Sequence, residues 1–278
     1  MNTLHLRHLR FIASPIIVIS VMTIALIALS AVAVLRSQLS YQSADSSSIR
    51  ANETSEKDFY NNLADAVAMF PPLDPPPDYT IPPIKDGLAP LLTTIPTKQP
   101  VVFLGIDDGI VKLPNALSLM RQNHIKASLY LSDTYIKDQP KYFSSFIQAG
   151  SAIEDHAVNH LQMSYLTYED QKREICDEAD IQERQFGRRP VLFRPPYGDY
   201  DQNTLRAAAD CGMKAVVTWI AKANNGSMQY QIGDHLRPGD IVLMHFRAEF
   251  QKDLSAFVTA QDAAGLHTVL LESWLSKS

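Results

Sequence analysis

Hydrophobic positions divide this chain into three parts. From Phe11 to Leu35 the sequence is an unbroken uncharged run dominated by Ile, Val, Leu and Ala. Residues 37–60 turn polar, rich in Ser, Asn, Gln and charge. After a short apolar stretch, Phe59 to Phe70, proline takes over, with ten of the seventeen prolines between 71 and 100. From about residue 98, short apolar runs alternate with longer amphipathic ones. Val101–Ile106, Lys126–Leu131, Ser151–Ile153, Val191–Phe193, Ala215–Trp219, Ile241–Met244 and Thr268–Leu271 read as strands. Helical spacing lies around Leu117–Met120, over Tyr142–Ala149, Tyr168–Phe186 and Gln202–Cys211, and near Leu254–Ala264. Gly150, Gly187 and Gly212 stand where three of these helices should stop. Strands alternating with helices predict an α/β domain, a parallel sheet covered by helices.

The uncharged run is 25 residues, about 37 Å of helix, longer than a ~30 Å hydrocarbon core. It predicts a transmembrane anchor over 11–35. The competing reading is a cleaved signal peptide with Ala31-Val32-Ala33 at the cut, whose apolar region should span only about 7–15 residues. Arg7 and Arg10 before the run place residues 1–10 in the cytoplasm, although Arg36 follows it. Residues 36–97 then form an extracellular proline-rich linker. Pro71-Pro72, Pro75-Pro76-Pro77 and Pro82-Pro83 forbid regular helix or central strand and make a semi-rigid spacer. Ile81, Ile84, Leu88, Leu91 and Leu92 give part of it an apolar face for packing on the domain at 98–278. The expected location is the cell membrane, single-pass, with that domain outside.

Composition adds exclusions. A formal net charge of −5 leaves no basic footprint for nucleic acid. The two cysteines, Cys176 and Cys211, are too few for a disulfide scaffold and lack metal-site spacing. Outside the membrane a bond between them is permitted; two buried thiols is the other reading, and spacing does not choose.

Three short segments carry chemistry: Gly105-Ile106-Asp107-Asp108-Gly109, His156-Ala157-Val158-Asn159-His160 and Arg194-Pro195-Pro196-Tyr197-Gly198. Adjacent strand residues point to opposite sides, so Asp107 and Asp108 can divide two tasks. His156 and His160, four apart, share a face if they lie on a helical turn. An Asp and two His make the three-ligand set of a catalytic metal site, with a position left for water. The spare Asp can act as base on that water. Arg194 sits before a rigid double proline. His245, at the end of a strand, is the remaining imidazole at the rim and can serve as general acid. Singly, each has a bland alternative: a turn, an accidental HxxxH, a structural arginine, a satisfied histidine. Together and in order they are specific.

These segments resemble the polysaccharide deacetylases of carbohydrate esterase family four, the NodB-homology domain, over about residues 98–275. The resemblance implies a distorted (β/α) barrel and metal-dependent removal of acetyl groups from N-acetylated amino-sugar polymers, cell-wall glycan such as peptidoglycan being the first expectation. It implies Asp107 as catalytic base and Arg194 as its holder. It implies Asp108, His156 and His160 as ligands of a divalent metal (Zn2+, with Co2+ or Ni2+ as alternatives) and His245 as general acid. The backbone N–H of Tyr197 would face the oxyanion, and Trp219 and Leu243 would line the acetyl pocket. Five residues depart from the pattern. Gly105 and Ile106 replace the usual Thr and Phe, Ala157 replaces Ser or Thr, and Asn225-Gly226 stands where an Asp-Trp pair is common. The last change predicts that Asn225 lies near His245 in the substrate groove and leaves that histidine without a carboxylate neighbour. A non-catalytic carbohydrate-binding domain of the same fold is the alternative from another class, and a zinc peptidase is a third.

Overall fold

The central element is a strand whose eight residues are all buried. In the computed structural model, which describes residues 76–274, this strand is β2 (Val101–Asp108). It pairs in parallel with β10 (His267–Thr268) and then β3 (Ser128–Leu131) on one side, and with β9 (Ile241–His245) on the other. A continuous apolar run is what a parallel strand buried on both faces requires. The full path is β1 (Leu91–Leu92), β6 (Ala215–Val217), β5 (Leu192–Phe193), β4 (Ala152–Asp155), β3, β2, β9, β7 (Ala221–Asn224) and β8 (Ser227–Tyr230). Every pairing is parallel except the β7–β8 hairpin. The expected α/β class holds, but the path ends at β1 and β8 without closing. The sheet is therefore an open half-barrel rather than a complete barrel.

Side-chain alternation along β2 builds two cores. Val102, Leu104 and Ile106 point to helices α1 (Ala116–Gln122), α3 (Pro140–Gln148) and α6 (Phe250–Ala263). Val101 and Phe103 point to the other face, where Ile81, Leu92, Ile95, Tyr130 and Trp274 fill the concavity. Phe103 meets the edge of Trp274 at 5.5 Å. A third core lies under α4 (Tyr168–Phe186) and α5 (Gln202–Asp210). Both helices start on side-chain caps. Thr167 accepts the N–H of Asp170, and Asp201 and Thr204 form a reciprocal capping box. Gly187 ends α4 at φ 76°, the left-handed position that glycine takes without strain. A four-residue helix, α2 (Asp133–Ile136), follows β3.

Three sequence expectations change. The proline-rich segment joins the domain sooner than residue 98: Ile81, Ala89, Leu92 and Ile95 are buried, and Leu91–Leu92 adds an edge strand beside β6. Proline tolerates that edge because one side of it needs no donors. Residues 221–230, to which the sequence pattern assigned no element, form a hairpin whose Asn225-Gly226 turn has both residues at positive φ. The strand expected at Thr268–Leu271 stops at Thr268, and Leu271–Trp274 is a 3-10 turn that drops Trp274 into the concave core. Residues 1–10, the proposed anchor at 11–35 and the linker up to residue 75 lie outside the described residues. Among the described residues no helix is long and apolar enough to cross a membrane.

The cysteine question is answered by a disulfide, Cys176–Cys211, which links α4 to the end of α5 across 35 residues. Cross-linking a loop of that size restricts the unfolded chain and stabilises the fold by about 2–4 kcal/mol. We expect Cys176→Ser to lower Tm by roughly 5–15 °C in calorimetry, and reduction of the parent to reproduce that fall. An unchanged Tm in both would show that the bond adds nothing to stability.

Candidate metal centre and catalytic dyad

The site forms where β2 and β9 end. Phe103, Gly105 and Asp107 share the concave face of β2, and Asp107 stands in register with His245 of β9. Arg194, the residue after β5, is fully buried, lies over the ring of Tyr130 at 4.0 Å and donates from Nη1 to Asp107 Oδ1 at 2.7 Å. Gly105 makes this possible. A Cβ there would lie 2.2 Å from Arg194 Nη1, so any side chain would evict the guanidinium. The departure from Thr at this position is thus a seat for the arginine.

Asp108, turned over by a backbone φ of 73°, faces the histidines. Its Oδ1 lies 3.1 Å from His160 Nε2 and 3.5 Å from His156 Nε2. One donor atom from each of Asp108, His156 and His160 falls within 4.8 Å of the others. His156 Nδ1 is 2.6 Å from the carbonyl of Arg194. A carbonyl only accepts, so Nδ1 carries the proton and Nε2 keeps its lone pair for an ion. One oxygen and two imidazole nitrogens, buried or nearly so, suit Zn2+, Co2+ or Ni2+. Burial alone would raise the pKa of Asp108. Hydrogen bonds with His156 and His160 outweigh it and hold the carboxyl well below its usual range, ready to ligate.

The two histidines do not share a helical turn as expected. They lie in the loop after β4, with Ala157 and His160 at φ 64° and 55°. Buried carboxylates take the place of helical hydrogen bonds. Asp155 accepts the N–H of Ala157 at 2.8 Å, and Glu174 of α4 accepts both the N–H and the Nδ2 of Asn159. Glu178 accepts the N–H of Asp133, and Glu154 receives Val191 N, Leu192 N and the Arg188 guanidinium. Burial, reinforced by Glu178, raises Asp155 well above the ordinary range; burial pushes Glu178 up to about 8.

The remaining expected residues divide. Trp219 is near: Arg194 lies 5.9 Å from its ring, which also packs beneath Gly198. Leu243 is buried opposite Gly105 on β9. Tyr197 is two-thirds exposed, at φ 62°, with its ring 4.7 Å from that of His160. Burial lowers the pKa of His245, and its charged neighbours are Asp107, Asp108, Arg247 and His156. Asn225 makes no hydrogen bond to this cluster among the described residues. It is the exposed first residue of the β7–β8 turn, which Asp253 of α6 holds by accepting the N–H of Gly226 at 2.7 Å. Asp234 and Asp240 pair with His235 and Arg237, away from His245. The carboxylates beside the histidine are those of the Asp pair itself. Two residues escaped the sequence reading: Arg247, half-exposed, with Nη2 3.6 Å from Asp108 Oδ2, and Glu174, which fixes the histidine loop. A cation two residues past His245 was the available signal for the first.

Residues 94–216 match the polysaccharide deacetylase family. An uncharacterised protein of Streptomyces coelicolor is 39% identical over 157 residues, 56% of this chain and 63% of that protein, so the chain spans less than two thirds of that relative. A peptidoglycan-N-acetylglucosamine deacetylase of Bacillus cereus is 27% identical over 160 residues, 54% of this chain and 75% of that protein. Among solved structures, a CE4 family pseudoenzyme from Bacillus anthracis superposes with a TM-score of 0.58 at 18% identity, over 67% of this chain and 69% of that one. Likeness at that level establishes the fold, and a fold shared with a pseudoenzyme does not decide activity.

Two outcomes follow from the geometry. The purified chain should bind about one equivalent of Zn2+, and His156→Ala should weaken that affinity by at least tenfold in calorimetric titration; parent-like affinity would remove His156 from the ligand set. Separately, Glu178 holds a proton in the folded state that the unfolded chain releases in the ordinary carboxylate range. Its contribution to stability is full below about 4.5 and lost as pH rises through about 8. Urea unfolding from pH 5 to 9 should show stability falling with pH, and Glu178→Gln should flatten that fall. An equally steep curve in the variant would refute the assignment.

Proposed function

We propose that this chain, whose residues 94–216 match the polysaccharide deacetylase family, is a metal-dependent hydrolase removing acetyl groups from N-acetylated amino-sugar polymers. Peptidoglycan is the first substrate to test, since the Bacillus cereus relative is a peptidoglycan-N-acetylglucosamine deacetylase. One observation carries the reading. A carboxylate outside the ligand set, Asp107, is pinned by a buried arginine directly beside an Asp-His-His triad.

Asp108, His156 and His160 would hold the ion, which when bound supplies Lewis-acid charge and lowers the pKa of water. Arg194 orients Asp107 through the 2.7 Å bond to Oδ1, leaving Oδ2 to accept a proton from the attacking water. The opening beside Tyr197 admits the acetamide, with the Tyr197 N–H offered to the developing oxyanion. His245, in register with Asp107 across the strand pair, returns a proton to the departing amine. Burial lowers its pKa, while the two carboxylates beside it work against that shift. Acetate and a free amino-sugar leave. Trp219 and Leu243 give the acetyl methyl an apolar wall.

The location belongs to the same proposal. An anchor at 11–35 would present the domain to the cell wall, and the Cys176–Cys211 disulfide supports an oxidising compartment.

The zinc-loaded chain should release acetate from N-acetylated peptidoglycan fragments, measured enzymatically. Asp107→Asn should lose about 10²–10⁴-fold in kcat while binding zinc as tightly as the parent. Near-parent turnover in this variant would take Asp107 out of the mechanism, and absence of acetate across acetylated glycans would sink the proposed activity.

A further inference from the structure

Nine large apolar or aromatic side chains are exposed among the described residues, and four of them, Leu161, Tyr165, Tyr197 and Tyr200, belong to two neighbouring loops. The loops are locked together. Asp199 accepts the N–H of Ser164 at 2.8 Å and its hydroxyl at 2.9 Å. Buried Met163 anchors the first loop, and Pro195-Pro196 stiffens the second. The surface adjoins the metal centre, because Tyr197 packs edge-on against His160. Tyr165 is 81% exposed and Tyr200 38%, and neither hydroxyl bonds to another described residue. Tyr165 and Tyr197 bury little in the fold itself, and Tyr200 is partly exposed beside them. Their rings offer flat apolar faces with a hydrogen-bonding tip.

From this we infer that Tyr165 and Tyr200, continued by the Tyr197 ring, form a stacking platform that seats further sugar rings of the glycan on the His160 side of the metal. The inference rests on the deacetylase reading and deepens it: Tyr165 and Tyr200 would bind sugars beyond the one that loses its acetyl group. A pyranose ring has one face of C–H bonds and a rim of hydroxyls, which is the complement of a tyrosine. The platform lies beside the histidine ligand, so a chain whose acetamide reaches the metal can continue across it.

The test uses the zinc-loaded full chain with two probes, the dimer and the hexamer of N-acetylglucosamine. Tyr165→Ala and Tyr200→Ala should each raise KM for the hexamer by about three- to tenfold. Values for the dimer and kcat for both probes should stay unchanged, and Tyr165→Phe should restore most of the loss. Parent-like KM for the hexamer in both alanine variants would overturn the platform. If the parent releases no acetate from either probe, the deacetylase reading fails, and calorimetric binding of the hexamer tests the surface by itself. Weaker binding in Tyr165→Ala supports the platform, and equal binding removes it. Self-association of the parent that Tyr165→Ala abolishes would also overturn the inference, because a second copy would then be the occupant.

Discussion

A guanidinium with no exposure to water sets the terms for this domain. Arg194 is tolerable in the core only because Asp107 neutralises it at 2.7 Å and Tyr130 receives its face at 4.0 Å. Breaking such a pair typically costs about 3–5 kcal/mol, because a lone buried charge remains. The same residue acts twice. Its side chain fixes the proposed base, and its carbonyl fixes the tautomer of His156. Base and metal ligand are thus oriented by one backbone position, and Pro195-Pro196 hold that position still. Gly105 completes the arrangement by leaving space over β2 for the charge to cross.

Backbone strain gathers around this pair. Seven non-glycine residues have positive φ among the described residues, and four of them are Asp108, Ala157, His160 and Tyr197. Each such residue costs on the order of 1–3 kcal/mol and persists only where its surroundings insist on it. Here the surroundings are buried polar groups on α4 and β4. Asp155 and Glu174 grip the histidine loop, and Glu178 grips the start of α2. The helix α4 accordingly turns a mixed face inward, Gln171, Glu174, Glu178 and Gln182 among Ile175 and Ala179. A purely apolar face would pack as well but would leave the loop amides without acceptors.

What the sequence made legible was whatever depends on local spacing. The buried run before Asp107, the capped span of Tyr168–Phe186 and the order of the three motifs all survive in the structure. The gathering of Asp108, His156 and His160 survives with them. What stayed hidden depends on partners distant in the chain. The loop geometry of His156–His160 follows from the adjacent Asp155 and from Glu174 on the next helix, so the i, i+4 spacing suggested a helical turn that does not form. Asn225-Gly226 was compared with a family position when it is a hairpin turn, and the Asn-Gly signal for that turn was present in the sequence. Gly105 looked like a lost side chain because nothing local reveals that Arg194 lies above it. The membrane anchor depends on residues outside the described region and remains part of the proposal.

The strand that carries the Asp pair is also the one hydrogen-bonded most completely, to β10 and β3 along one edge and to β9 along the other. Its amides have no route to solvent short of parting the centre of the sheet. Local opening therefore reaches the histidine loop and the tyrosine loops long before it reaches residues 103–107, whose amide protons exchange only with global unfolding. The acid–base half of the site and the ligand Asp108 lie on β2 and β9, whereas the two imidazole ligands sit on the loop after β4, whose opening does not require the sheet to part. An ion can then enter and leave without disturbing the carboxylate that works beside it.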